Sequence, residues 1–124
     1  MRVLVVDDEA IVLKSCRRVL EAEGCEVLLA GSVAEALPVV ATQAPWLLLV
    51  DVKMPVHDGM YLMRRLKDKG VVIPVVVMSG YSTLETIREA ERLGAVAFIA
   101  KPFTPDELLD IVRPVLRTLV RPAT

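Results

Sequence analysis

The chain has 124 residues, 54% of them apolar, and a formal net charge of −1. That is enough for one domain with a real core, and the charge balance argues against disorder, a nucleic-acid footprint or a polybasic membrane patch. No apolar run approaches the roughly 18 residues of a membrane span, and the N-terminus enters a strand-like run with no room for a signal peptide. A cytoplasmic protein with no direct nucleic-acid or membrane partner is therefore expected.

Val3-Leu4-Val5-Val6 reads as a buried first strand that runs into Asp7-Asp8-Glu9. Residues 10–23 then place Val12, Cys16, Val19 and Leu20 on one side at helical spacing, and Gly24 ends the helix. A second strand is expected over 25–30. Cys16 on the apolar helix side and Cys25 at the strand start read as free, small hydrophobes, with no Cys/His spacing of a metal site.

Ser32-Val33-Ala34-Glu35 has the form of a capping box, opening a helix to about Thr42. Pro38 inside it predicts a kink or a short, loose helix. Leu47-Leu48-Leu49-Val50-Asp51, headed by Trp46, suits a strand buried on both faces that delivers one carboxylate to its tip. The loop Met54-Pro55-Val56-His57-Asp58-Gly59 leads into a helix over 59–69 with Leu62, Met63 and Leu66 inward. His57 lies in this loop with no partner spacing and reads as an exposed structural residue.

A fourth strand is expected over 71–78, running into Ser79. Ser82-Thr83-Leu84-Glu85 forms a second capping box, for a helix with Leu84, Ile87 and Ala90 on one side and Gly94 at its end. Residues 95–99 make the fifth strand, and the run continues through Ala100 into Lys101. Thr104-Pro105-Asp106-Glu107 combines a cap, a first-turn proline and a third-position glutamate. The last helix should carry Leu108, Val112, Leu116 and Leu119 inward and bend at Pro114. Residues 1–120 are expected to form the domain and 121–124 a frayed tail.

Five strands alternating with five helices argue for an α/β fold with a parallel sheet covered on both faces. In such sheets ligands bind outside the C-terminal strand ends. Those ends here carry Asp7, Asp8, Asp51, Ser79 and Lys101. Clustered carboxylates disfavour joint ionisation unless cations compensate. Lys101 and a divalent metal are therefore expected, and oxygen ligands favour Mg²⁺ over zinc.

The acidic pair Asp7-Asp8, the turn Asp51-Val52-Lys53-Met54-Pro55 with Asp58-Gly59, Ser79-Gly80, and Lys101-Pro102-Phe103 follow the strand ends in order. Over nearly its whole length the chain resembles the receiver domain of bacterial two-component response regulators. The resemblance implies a single flavodoxin-like (βα)5 domain of strand order 2-1-3-4-5. It implies a phosphorylation-switched domain of a phosphorelay in which Asp51 takes a phosphoryl group from a phosphohistidine and the domain promotes its own Mg²⁺-dependent phosphorylation and dephosphorylation.

By the same resemblance, Asp8, Asp51 and the Lys53 backbone carbonyl would ligate Mg²⁺, with Asp7 acting through metal-bound water. Ser79 and Lys101 would hold the phosphoryl oxygens. Ser79 and Phe98 would form the switch, altering a face built from the fourth helix, fifth strand and fifth helix. Lys53 and Tyr81 occupy positions that tune aspartyl-phosphate lifetime. Implied partners are a sensor histidine kinase or histidine phosphotransfer protein and a downstream output domain or protein, with the chain a monomer or a phosphorylation-dependent homodimer. The receiver could be free-standing or part of a larger regulator.

Other classes fit less well. A phosphatase using an aspartyl-phosphate at the first strand would want Asp-x-Asp, which Asp7-Asp8-Glu9-Ala10 lacks. A phosphorylation-independent interaction module of the same fold would be marked by a missing acid, hydroxyl or lysine, and none is missing. A nucleotide or flavin site would want a Gly-rich loop after the first strand.

Overall fold

A computed structural model describes residues 1–80 and 83–119. Five strands, β1 (Arg2–Val6), β2 (Glu26–Ala30), β3 (Leu47–Asp51), β4 (Val75–Ser79) and β5 (Ala95–Ala100), alternate with five helices. The helices are α1 (Ala10–Ala22), α2 (Val33–Gln43), α3 (Gly59–Asp68), α4 (Leu84–Arg92) and α5 (Pro105–Leu119). The strands form one sheet in the order β2-β1-β3-β4-β5, with every pairing parallel.

Side chains alternate across a strand, and the continuous apolar runs therefore feed two cores. Val3, Val5, Leu47, Leu49, Val76 and Met78 face α1 and α5, packing with Cys16, Leu20, Leu108 and Val112. Leu4, Val6, Leu48, Val50, Val75 and Val77 face the other way, against α2, α3 and Ala90 of α4. Cys16 and Cys25 are both free thiols.

Capping follows the sequence signals closely at α5. Thr104 Oγ1 accepts from the Glu107 N–H at 3.1 Å, and Glu107 Oε1 accepts from the Thr104 N–H at 2.9 Å. At α2 the Ser32 hydroxyl accepts from Glu35 N–H, but Glu35 reaches back one residue further, to the Gly31 N–H. Asp58 caps α3 by accepting from the Tyr61 N–H at 2.8 Å.

Three expectations need correction. β4 begins at Val75 rather than at 71. Pro74 has no N–H to give a ladder, although its carbonyl accepts from the Leu48 N–H, and Val72 is exposed. Leu84 does not face the core: it is the first helical residue after the Thr83 cap and 62% exposed. Ser82, expected to cap this helix, lies outside the described residues.

Thirdly, α2 is not shortened by Pro38. It runs 11 residues without interruption, held by buried Val33, Ala36 and Val40. Pro114 sits inside the 15-residue α5. It occupies an exposed position, as does Asp110, whose carbonyl a non-proline residue 114 would bond; water can reach that group instead. The expected tail, 121–124, falls outside the described residues.

Candidate functional site

The C-terminal ends of β1, β3, β4 and β5 meet at one edge of the sheet. β3 lies between β1 and β4, and the register that pairs Val6 with Val50 and Asp51 with Met78 brings Asp7, Asp51 and Ser79 to adjacent strand tips. Asp7 is fully buried, Asp51 and Ser79 nearly so, and Asp8 is exposed. Carboxylate oxygens of Asp7, Asp8 and Asp51 lie within 4.8 Å of one another. Three hard oxygen donors at that spacing, one open to solvent, fit a small divalent cation that keeps part of its water.

Lys101 completes the cluster. Its backbone N–H donates to the Ser79 carbonyl at 2.9 Å, which fixes where the side chain starts. Its Nζ then donates to Asp7 Oδ2 at 2.9 Å, Glu9 Oε1 at 3.1 Å and Asp51 Oδ2 at 3.3 Å. The other Asp51 oxygen accepts from the Lys53 N–H at 3.4 Å, and Asp7 Oδ1 accepts from the Glu9 N–H at 2.9 Å.

Burial pushes the Asp51 carboxyl above the usual carboxylate range, and the Asp7 charge adds to it. Lys101 and the Lys53 N–H pull the other way without cancelling the rise. For Lys101, burial works against the ammonium, but the hydrogen bonds it donates to Asp7 and Glu9, with the Asp51 and Asp7 charges, outweigh it and raise its pKa. The lysine is therefore a permanent cation here. Burial, reinforced by Asp7 and opposed by Lys101, lifts the Cys16 thiol to about 12, so this sulfur is a neutral packing group.

The loop after β3 folds back tightly on Asp51. Gly59 N–H donates to the Val52 carbonyl at 3.0 Å, and a Cβ at Gly59 would run into the Asp51 carbonyl oxygen and the Val50 side chain. Within the same loop Val56 takes φ +69° while 95% exposed. His57 is exposed and stacks on Tyr61, with ring centroids 3.8 Å apart. A cleft of about 650 Å³ opens beside the cluster, lined among others by Ile11, Lys53, Gly80 and Phe103.

Asp7, Asp8, Asp51 and Lys101 thus come together as their spacing suggested, with Ser79 on the next strand tip. Lys53 is exposed and its N–H donates to Asp51, and Phe98 is half-buried in β5 against the core on the α4 side. Tyr81 lies outside the described residues. Sequence reasoning missed Glu9 as a partner of Lys101. The only signal was a third acid following Asp7-Asp8, which reads equally well as a favourable helix first turn.

A family model described as the response regulator receiver domain matches residues 3–113. The chain is 35% identical over 112 residues to sporulation initiation phosphotransferase F of Bacillus subtilis, covering 90% of each chain. It is 38% identical over 117 residues to the response regulator MprA of Mycobacterium avium, covering 94% of this chain and 51% of that protein. Among solved structures, a CheY-like receiver domain protein from Methanospirillum hungatei superposes with a TM-score of 0.88 at 31% identity, over 95% of this chain and 94% of that one. Among the described residues no helix is long and apolar enough to cross a membrane. With the strand order, the acidic cluster and these likenesses in agreement, the chain belongs to the response regulator receiver domains, the signalling domains of two-component phosphorelays.

Proposed function

We propose that Asp51 is the phosphoacceptor. An Asp51 carboxylate oxygen attacks the phosphorus of a phosphohistidine on a sensor histidine kinase or histidine phosphotransfer protein. The P–O bond forms as the P–N bond breaks, and the imidazole leaves with the electron pair and takes up a proton. The observation that carries this reading is the position of Asp51 at the tip of the central strand, 5% exposed, with Lys101 Nζ 3.3 Å from its Oδ2. Phosphoryl transfer asks little beyond an in-line nucleophile and neutralised charge.

Asp8, Asp51 and the Lys53 backbone carbonyl would hold Mg²⁺, with Asp7 acting through a bound water. When bound, Mg²⁺ supplies positive charge to the equatorial phosphoryl oxygens. Lys101 would neutralise one of those oxygens, and the Ser79 hydroxyl would donate to one. Lys53 and Tyr81, two residues beyond Asp51 and Ser79 in the sequence, would set the lifetime of the acyl phosphate, which the domain itself would both form and hydrolyse.

The added charge of about −1.5 to −2 draws Ser79 inward, and Phe98 follows, biasing a two-state face made of α4, β5 and α5. That face would read out to an output domain or protein, in a monomer or a phosphorylation-dependent homodimer. A cytoplasmic setting, where such kinases transfer phosphate, fits this chemistry.

Intact mass after incubation with acetyl phosphate, with and without Mg²⁺, tests the reading. One phosphoryl group, a gain of about 80 Da, should appear with Mg²⁺ and be absent in Asp51→Asn. A gain that survives Asp51→Asn would place the chemistry on another residue, and no gain in folded wild-type protein would favour a phosphorylation-independent module.

A further inference from the structure

An ammonium has three N–H donors, and in this structure Asp7, Glu9 and Asp51 take all three of those on Lys101. A phosphoryl oxygen arriving at Asp51 must displace one of them. Asp7 is fully buried beneath the lysine, and Asp51 is the acceptor itself. The Glu9 side chain is 56% exposed and has the torsional freedom to swing into water.

Glu9 also does something unexpected for its place in the chain. It is the N-cap of α1, where a side chain normally bonds the first free N–H groups and a negative charge is favoured. Its side chain makes no capping bond. The carboxylate is directed to Lys101, and α1 begins without a side-chain cap.

We propose that Glu9 is a positioning residue that holds the third N–H of Lys101 in the unphosphorylated domain and yields it to the phosphoryl group. This rests on the reading of Asp51 and Lys101 given above. Glu9 competes with the incoming phosphoryl oxygen for one donor, so it slows capture of the phosphoryl group. Losing that competitor accelerates phosphorylation by about 2- to 5-fold, the scale of one exposed ion pair.

Phosphorylation rates from acetyl phosphate at saturating Mg²⁺ test this in wild type, Glu9→Gln, Glu9→Ala, Glu9→Asp and the Lys101→Met pair with and without Glu9→Gln, each checked for folding by thermal melting. Glu9→Gln and Glu9→Ala should be faster. Glu9→Asp should be faster too, because the shorter acid retains its charge but caps α1 instead of reaching Lys101. In Lys101→Met, adding Glu9→Gln should change nothing, since the effect acts through the lysine.

Wild-type rates in all Glu9 variants would overturn the proposal. So would a Glu9→Asp rate equal to wild type beside faster Glu9→Gln, which would mean bulk charge alone, or an unchanged acceleration in the Lys101→Met background. Failure of the underlying reading looks different: modification of wild type would then be missing, or would persist in Asp51→Asn.

Discussion

Lys101 Nζ lies 2.9 Å from Asp7 Oδ2, although 94 residues separate them in the chain. The pair ties the tip of the edge strand β5 to the tip of β1, across β3 and β4, and it supplies a largely buried counter-charge for a fully buried carboxylate. Removing one partner of a buried pair leaves the other uncompensated. Lys101→Ala is therefore expected to lose about 3 kcal/mol of stability at neutral pH, measured by urea unfolding. A loss near zero would mean that water reaches Asp7 once the lysine is gone.

The sign of the pH dependence follows from the raised lysine pKa. A group held protonated by the fold contributes fully below its ordinary pKa and loses that contribution as pH rises through the folded value. The wild-type advantage over Lys101→Ala should thus be flat through neutral pH and shrink only above about pH 10.

Asp51 works the other way. Its folded pKa is raised, chiefly by burial, so ionisation favours the unfolded chain as pH climbs through the carboxylate range. Asp51→Asn should be more stable than wild type at neutral pH, and the difference should vanish under acid conditions below the ordinary carboxylate pKa. Melting temperatures across pH 3 to about 7 would show this; a constant difference at every pH would assign the effect to packing instead.

Val56 is a β-branched residue in the left-handed region, at φ +69°. That conformation costs about 1–2 kcal/mol in an L-residue, and the exposed side chain offers no packing in return. Val56→Gly should gain about 0.5–1 kcal/mol after the entropy of glycine is allowed for, seen as a higher urea midpoint at unchanged slope.

Gly59 makes a sharper test because two principles disagree in sign. As a helical residue, replacement by alanine should help by about 1 kcal/mol. The Cβ would instead meet the Asp51 carbonyl and the Val50 side chain, and overpacking of that kind costs about 1–3 kcal/mol. Gly59→Ala is expected to destabilise and to slow phosphorylation at Asp51, measured by unfolding and by intact mass.

Much of this was legible beforehand because the signals are local. Apolar runs of strand length, Ser32, Thr104 and Pro105 as start signals, and Gly24 and Gly94 as stops depend on a few neighbouring residues. The apolar run at 71–78 misled because Val71 and Val72 carry strand-forming side chains, while Pro74 controls where the ladder can begin. The strand order came from the family resemblance, since periodicity does not encode which strands are neighbours. The Glu9 contact depends on which way one exposed carboxylate turns between two attractive positions, and the Val56 dihedral on how a loop closes over Asp51. Neither choice is written in residue type.

β3 is paired on both sides and every one of its five residues is buried. Such a strand behaves as an anvil: it cannot slide, twist or peel away to absorb a dianion attached at its end. If Asp51 is the acceptor, the response would fall on the connections around the strand, among them the loop that carries Val56. With Asp51 as the proposed phosphoacceptor, the fold would separate a stationary point of attachment from the connections around it.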